Sequence, residues 1–271
     1  MEVSSYGYGQ AAWLAHTAPD PSAALAFYTE LFGWDIQKSG VDLGPYTLLT
    51  KHAKPVAALS ETPRPGMAEW TTYFNVSDAG EMAKMVKAGG GSVLSAPTDA
   101  GSAGKVAHFA DATGAPFGVW QAGDHFGAGL RQQAGTYIAS ELGSSDVAQS
   151  KAFYAEVFGW EYYGQDNYPG AKVNGEAVCG IMPAARYKEY GRPQEPDAFL
   201  VSFGSSDVNA DVSKAVDLGA GVLFPPTVNE LGKFYALVRD PQGALFGLYA
   251  FESEPDMEAY RSSFTRNTPR S

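Results

Sequence analysis

Three side chains in this sequence could carry acid–base or hydrogen-bonding chemistry. Glu141 lies in a predicted strand, and a carboxylate placed in an apolar cavity has a raised pKa that suits a general acid or base. His108 lies three residues before Asp111 and could hydrogen-bond a ligand or transfer a proton. Tyr235, five residues before Asp240, could donate its hydroxyl to a ligand oxygen. We predict these three as the catalytic candidates.

Each candidate has a structural alternative. Glu141 could be a carboxylate at an exposed rim, or one paired with an arginine. His108 could be a packed histidine satisfied by backbone groups, and Tyr235 an ordinary tyrosine of a half-exposed strand. Cys179 is the single cysteine, which excludes an internal disulfide framework and a zinc site built from several thiolates.

An internal repeat positions these residues. The segment FYTELFGW at residues 27–34 recurs as FYAEVFGW at residues 153–160, with six of eight residues identical and an offset of 126 residues. DATGAPFGVW at residues 111–120 likewise matches DPQGALFGLY at residues 240–249, 129 residues further on. Two matched pairs at nearly one offset indicate a duplication of about 125–130 residues.

The two copies contain the same predicted elements, in the order strand, helix, short strands, twice over. Asp20 is a good helix N-cap, Pro21 suits the first helical position, and Gly33 ends that helix. Asp146 begins the corresponding helix of the second copy. Further helices are predicted over residues 79–88 and 208–218. Strands are predicted over residues 11–17, 46–51, 56–59, 70–76, 105–110, 117–121, 137–142 and 199–203, with a hairpin over 234–249.

The repeat also predicts the domain organisation. The first domain covers residues 1–123 and the second covers residues 136–252. A linker joins them over residues 124–135, and a C-terminal extension follows over residues 253–271.

Composition limits the partners. Lys and Arg number 19 and Asp and Glu 30, so the net charge of −11 disfavours nucleic-acid binding through phosphate contacts. No apolar stretch reaches the about 18 residues that a membrane span needs, and the first ten residues do not resemble a secretory signal. We therefore expect a cytoplasmic protein, monomer or homodimer, whose partner is a small organic molecule rather than nucleic acid or a membrane.

The repeated segments resemble the vicinal oxygen chelate superfamily, which includes glyoxalases, bleomycin-resistance proteins and extradiol dioxygenases. The resemblance rests on Asp20 and Asp146 with the FY and FGW residues that follow each, and on the turns at 111–114 and 240–243. It covers nearly all of residues 10–251. It implies an α+β fold of two tandem glyoxalase-like domains. Each domain is expected to contain two βαβββ modules that form an open cup-shaped sheet with helices outside.

The resemblance also implies where metal ligands would lie. Metal-using relatives take His and Glu ligands from three positions of a domain. The corresponding residues here are Trp13, Thr71 and Gly118 in the first copy, and Ala139, Leu200 and Gly247 in the second. None is His, Asp, Glu or Cys, the residue types that bind metals in proteins. We therefore expect no catalytic metal and no cofactor.

Strand alternation around these positions predicts which side chains face the cups. The predicted ligand-binding residues are Trp13, Thr71, Tyr73, Gly118 and Trp120 in the first cup, and Leu200, Ser202, Gly247 and Tyr249 in the second. Gly118 and Gly247 admit two interpretations, clearance for a ligand or packing room beneath a bulky neighbour. The same alternation turns His16 towards the helix rather than into the cup.

Mostly apolar and aromatic walls favour a small organic ligand. The leading hypothesis is a metal-independent enzyme of isomerase, lyase or cyclase type, with Glu141 or His108 in acid–base work on an apolar or aromatic molecule. The alternative is a sequestering protein of the bleomycin-resistance type without catalysis. A glyoxalase or oxygenase that takes a metal from unexpected ligands ranks last.

Overall fold

The computed structural model describes residues 1–37, 46–62, 68–190, 196–228 and 233–250. The predicted C-terminal extension over residues 253–271 lies outside this part of the chain. Within it, no helix has the length and apolar character needed to cross a membrane.

Local sequence signals set the ends of the helices. The described residues contain four α-helices: α1 (Pro21–Phe32), α2 (Ala79–Ala88), α3 (Val147–Phe158) and α4 (Val208–Asp217). The Asp20 side chain accepts a hydrogen bond from the amide of Ala23, and Gly33 ends α1 in the left-handed region with φ 65°. Asp146 accepts a hydrogen bond from the amide of Gln149 in the same way at the start of α3. The predicted helices are therefore confirmed to within a residue or two.

Sixteen strands form two sheets in the described residues. The first sheet contains β1 (Ala11–Ala18), β2 (Asp35–Gln37), β3 (Thr47–Lys51), β4 (Lys54–Glu61), β5 (Glu69–Asn75), β6 (Ser92–Asp99), β7 (Gly104–Ala110) and β8 (Pro116–Ala122). The second contains β9 (Tyr137–Ser144), β10 (Glu161–Gln165), β11 (Tyr168–Val173), β12 (Glu176–Pro183), β13 (Ala198–Ser205), β14 (Gly221–Val228), β15 (Phe234–Arg239) and β16 (Leu245–Ala250).

The two sheets have the same topology. The strand order is β2-β3-β4-β1-β5-β8-β7-β6 in the first and β10-β11-β12-β9-β13-β16-β15-β14 in the second. In the first sheet, β1 and β5 begin the two modules and are antiparallel neighbours at the centre. Each module adds one parallel pair, β1 with β4 and β5 with β8. Each half is thus an open eight-stranded sheet made of two βαβββ modules, which confirms the expected α+β architecture.

The strands that the sequence pattern does not predict lie mostly towards the sheet edges. β6 is exposed at six of its eight positions, and all three residues of β2 are exposed. β10, which lies at the edge of the second sheet that corresponds to β2 in the first, has only one residue that is not exposed. An edge strand with both faces near solvent carries no alternation of apolar and polar residues, so periodicity cannot reveal it.

The convex faces of the two halves pack on each other and share one core. Phe27 of α1 contacts Phe246 of the second sheet with ring centroids 6.3 Å apart, and Phe153 of α3 contacts Phe117 of the first sheet at 6.1 Å. These two pairs occupy equivalent places in the repeat. Each half therefore places its first helix against the sheet of the other half.

A buried polar cluster crosses this interface. His16 Nε2 lies 3.0 Å from Asp240 Oδ2, and the Tyr28 hydroxyl donates to the same oxygen at 2.9 Å. Burial by itself raises the pKa of Asp240. The bonds with His16, the Ala244 amide and Tyr28 outweigh it and hold that pKa below its usual value. His16 thus faces α1 and the interface, as alternation predicts.

Candidate functional site

A row of side chains crosses the floor of the first cup. Strand register pairs Trp13 of β1 with Tyr73 of β5, Tyr73 with Gly118 of β8, and Gly118 with His108 of β7. In the second cup the equivalent row is Ala139, Ser202, Gly247 and Leu237. Trp13 and Gly118, predicted as first and third metal-ligand positions, therefore align with Tyr73.

Gly118 makes room for an aromatic ring. A Cβ built on Gly118 would lie 2.8 Å from Tyr73 Cγ and closer still to Cδ1 and Cε1 of that ring. The Tyr73 hydroxyl is hydrogen-bonded to His108 Nε2 at 2.8 Å, and His108 Nδ1 to the Ser95 hydroxyl at 2.8 Å. The geometry therefore favours packing over ligand clearance at Gly118, and both ring nitrogens of His108 bond protein groups.

The first cup encloses a cavity of about 330 Å³ with aromatic walls. Trp13, Tyr73 and Trp120 line it, together with His125 from the segment after β8. The Trp120 indole N–H donates to the His125 carbonyl at 2.7 Å, and the Trp13 and His125 rings meet edge to face at 4.5 Å. The polar atoms of Trp120 and Tyr73 are thus occupied by the protein, so these two rings offer apolar faces to a ligand.

His125 is a site residue that the sequence analysis missed. Burial lowers its pKa to about 4, so its imidazole is neutral near pH 7. Its Nε2 atom is buried, and no group in the described part of the chain hydrogen-bonds with it. His125 lies in the stretch predicted as a linker, where strand alternation gives no direction for a side chain. Only the return of this segment over β1 brings it to Trp13.

The second cup is partly filled by its own side chains. Leu200, Tyr235 and Leu237 form a buried cluster against Phe224 and Tyr249. The Tyr235 ring stacks on Phe224 at 5.6 Å and lies 5.2 Å from Tyr249, and only 2 % of it is exposed. Tyr235, predicted as a catalytic candidate, is therefore placed in a packed wall of the cup.

A cavity of about 550 Å³ remains beside this wall, and Glu141 lines it. The Tyr168 hydroxyl donates a hydrogen bond to Glu141 Oε2 at 2.5 Å. Burial, followed by the charge of Glu141, raises the pKa of Tyr168 well above its usual value, so Tyr168 keeps its proton and can act as the donor. Glu141 thus has a tyrosine as a hydrogen-bond partner. The sequence offered no signal for it, because β11 was not predicted.

Two predicted ligand-binding residues, Thr71 and Leu200, line neither of the two cup cavities, although Leu200 belongs to the buried cluster of the second cup. Thr71 and Leu200 line a cleft of about 400 Å³ between the two halves, near the turn that contains Gln242. They stand two residues away from Tyr73 and Ser202, which align with the first and third positions of each row. By strand register, the residues level with the first and third positions are Tyr73 and Ser202 rather than Thr71 and Leu200.

The residues at these positions do not fit a metal ion. Trp13 supplies an indole, and Tyr73 supplies a phenol that is hydrogen-bonded to His108. Gly118 has no side chain, and the Tyr73 ring occupies the space beside it. The described part of the chain contains no group of three or more His, Cys, Asp or Glu residues placed to hold a metal. The side chains that a divalent ion needs are missing from the rows where this architecture would place them.

Fold and site together define a tandem double-cup protein with a cavity in each half. The family model described as the glyoxalase/bleomycin resistance protein/dioxygenase superfamily matches residues 10–119 and again residues 136–248. The chain therefore belongs to this superfamily.

Curated relatives match along most of their length. The protein named "Putative glyoxylase CFP32" of Mycobacterium tuberculosis is 34% identical over 258 residues, which cover 90% of this chain and 96% of the relative. "Anthracycline biosynthesis protein DnrV" of Streptomyces peucetius is 33% identical over 269 residues, with 91% and 94% covered.

Solved structures share the fold at low sequence identity. The Mn(II)-bound glyoxalase from Novosphingobium aromaticivorans is 15% identical, with a TM-score of 0.63 over 93% of this chain and 86% of that chain. The 2,3-dioxygenase LapB from Pseudomonas sp. KL28 is 14% identical, with a TM-score of 0.64 over 94% and 96%. At this identity the likeness concerns the fold alone.

Proposed function

We propose that this protein binds an aromatic organic molecule in the first cup without the help of a metal ion. The observation that carries the proposal is the wall of Trp13, Tyr73, Trp120 and His125 around a cavity of about 330 Å³. This volume lies at the lower end of the about 300–1,000 Å³ typical of ligand sites. The cup is open, so a larger ligand can extend beyond it.

The arrangement of these rings suits a flat ligand. Trp13 and His125 meet nearly at right angles, so a ring laid against the indole of Trp13 would have the edge of an imidazole beside it. Because His125 is neutral, the ligand meets no buried positive charge from this side chain. Binding would therefore draw on apolar burial and ring contacts rather than ion pairing.

The names of two relatives point to a ligand class. DauV and DnrV are named for anthracycline biosynthesis, and anthracyclines are fused-ring aromatic compounds. A fused-ring aromatic molecule is accordingly the ligand that we favour for this chain. Sequestration of such a compound requires no chemical step and is the simplest activity that the first cup supports.

The binding experiment is a titration of the protein with the anthracycline doxorubicin, followed by quenching of tryptophan fluorescence. Trp13→Ala removes one wall of the cup, and we expect at least about tenfold weaker binding, since lost ring contacts of this kind are worth about 1–1.5 kcal/mol. Ala139→Trp is the matched control, because residue 139 holds the equivalent place in the second cup. Equal affinity in wild type and Trp13→Ala would refute the proposal.

A second candidate function is acid–base catalysis in the second cup. The observation that favours it is the 2.5 Å hydrogen bond from Tyr168 to Glu141 on the wall of a cavity of about 550 Å³. A carboxylate held by a proton donor is oriented to exchange a proton with a bound molecule, as an isomerase or lyase requires. In this role Glu141 would be the base and Tyr168 the residue that orients it.

Mass spectrometry separates the two functions. Doxorubicin recovered unchanged after long incubation supports sequestration, whereas a product that forms with wild type and not with Glu141→Gln supports catalysis. Tyr168→Phe should slow product formation without abolishing it, because it removes the orienting hydrogen bond and leaves the carboxylate. Product formation at the wild-type rate by Glu141→Gln would rule out Glu141 as the base.

A further inference from the structure

Arg131 is a partly buried cation without a carboxylate partner among the described residues. Six other basic side chains in the described residues form ion pairs with carboxylates: Lys54, Lys84, Lys105, Lys172, Arg186 and Lys214. Arg131 makes no such pair with any residue that the structure describes, although acidic residues outnumber basic ones 30 to 19 in the sequence. The lack of a carboxylate partner for Arg131 is therefore not due to a shortage of acidic residues in the chain.

The guanidinium of Arg131 is held by two aromatic rings. Its central carbon lies 5.8 Å from the ring centroid of Tyr6 and 5.2 Å from that of Tyr137. Its Nε atom is buried and has no hydrogen-bond partner among the residues that the structure describes. The backbone is also fixed, because the Arg131 amide donates to the Met1 carbonyl at 3.1 Å and the Gln132 amide donates to the Tyr137 carbonyl at 2.8 Å. A guanidinium clamped in this way loses little conformational freedom when it binds a ligand.

The two tyrosines act as neutral walls rather than as counter-ions. Burial raises the pKa of Tyr6 and of Tyr137 to about 12. The positive charge of Arg131, together with its hydrogen bond to Tyr6 and the one between Ser140 and Tyr137, only partly opposes this effect. Both phenols therefore remain protonated near pH 7. Among the described residues, no carboxylate pairs with the positive charge of Arg131, and a partly buried charge in that condition costs free energy.

Arg131 lines the cavity of the second cup, the same cavity that Glu141 and Ser202 line. Only 3 % of Ser202 is exposed, and its hydroxyl makes no hydrogen bond with the residues that the structure describes. A planar cation and a hydroxyl donor on one cavity wall match the needs of a carboxylate, which accepts two parallel hydrogen bonds from arginine. The residues described around the first cavity, by contrast, include no lysine or arginine.

We propose that Arg131 anchors a second ligand site, in which the second cup binds the carboxylate group of an organic acid. The site does not depend on an aromatic ligand in the first cup, nor on catalysis by Glu141. A carboxylate bound there would neutralise Arg131 and could hydrogen-bond with Ser202, while the rest of the molecule occupies the cavity towards Glu141.

The test compares a carboxylate with its neutral amide. Isothermal titration calorimetry of the full chain with 2-naphthoate and with 2-naphthamide should show binding of the carboxylate at least about tenfold tighter. Arg131→Met should remove this difference, and Arg131→Lys should restore part of it because the charge returns without the planar fork. Lys172→Met is the matched control, since Lys172 is a cation of the same sheet that pairs with Glu161 at 3.3 Å.

Two further variants keep the result interpretable. If Arg131→Met lowers the unfolding temperature, two variants that retain a positive charge at residue 131 test the proposal instead. These are Ser202→Ala and Arg131→Lys, and both should bind 2-naphthoate more weakly than wild type does. Trp13→Ala should leave the preference for carboxylate unchanged, which separates this site from the first cup. Equal affinity of wild type for 2-naphthoate and 2-naphthamide, no binding of 2-naphthoate, or an unchanged carboxylate preference in Arg131→Met would each overturn the proposal.

Discussion

The packing of Tyr73 over Gly118 leads to a quantitative prediction for Gly118→Ala. The new methyl group would lie 2.8 Å from Tyr73 Cγ and closer to two other ring atoms, whereas real Cβ atoms keep at least 3.0 Å from such neighbours. The ring must therefore move by about 1 Å. It cannot do so freely, because its hydroxyl is hydrogen-bonded to His108 at 2.8 Å and the ring itself is 4 % exposed.

The expected loss of stability has two parts. Insertion of a methyl group into a tightly packed place costs about 1–3 kcal/mol. Displacement of the Tyr73 ring also weakens its hydrogen bond to His108, which is worth about 1 kcal/mol. We therefore expect Gly118→Ala to lower the free energy of unfolding by about 2–4 kcal/mol.

The assay is guanidinium unfolding followed by tryptophan fluorescence, with a double-mutant cycle. In the background of Tyr73→Ala, where the ring is absent, Gly118→Ala should cost less than about 1 kcal/mol. Gly221→Ala serves as the matched control, because a Cβ at Gly221 meets nothing within 4 Å. A wild-type stability for Gly118→Ala, or an equal loss with and without the Tyr73 ring, would refute the packing argument.

Three further predictions concern pH and metal. Because the pKa of Asp240 is lowered in the folded state, its contribution to stability is present above about pH 4 and lost as the pH falls through that lowered value. Asp240→Asn should therefore lose about 1–3 kcal/mol at pH 7 and approach wild type in acid unfolding curves. His125 takes up its proton near pH 6.5 when unfolded but only near pH 4 when folded, so wild type should lose up to about 3 kcal/mol over that interval. His125→Gln should lose less over the same interval, and a parallel pH profile would contradict the assignment. Dialysis against EDTA should leave the unfolding temperature and doxorubicin affinity unchanged, and a clear loss of either would indicate a metal site that this chain's residues do not predict.

Helix boundaries and cup-facing parity were predictable because they depend on neighbours in the chain. Asp20 and Gly33 satisfy the ends of α1 with atoms only a few residues away. Alternation along a strand likewise placed Trp13 and Trp120 in the first cup. The β-strands near the sheet edges were not predictable, because their exposed residues leave no periodic pattern.

The sequence by itself determined the duplication, the superfamily, the first and third positions of each row and the lack of metal-binding side chains at them. These follow from residue types at spacings that can be counted along the chain. The tertiary structure decided which side chains fill the two cups around these positions. The contact of Tyr73 with Gly118, the hydrogen bond of Tyr168 with Glu141 and the clamp of Tyr6 and Tyr137 on Arg131 join residues that are 6 to 125 positions apart. The contacts of Tyr73 with Gly118 and of Tyr168 with Glu141 depend on strand order and register. The contact of Tyr6 with Arg131 depends on how the first residues pack beside the second cup. Such contacts depend on the geometry of the whole molecule, so no local pattern could have revealed them.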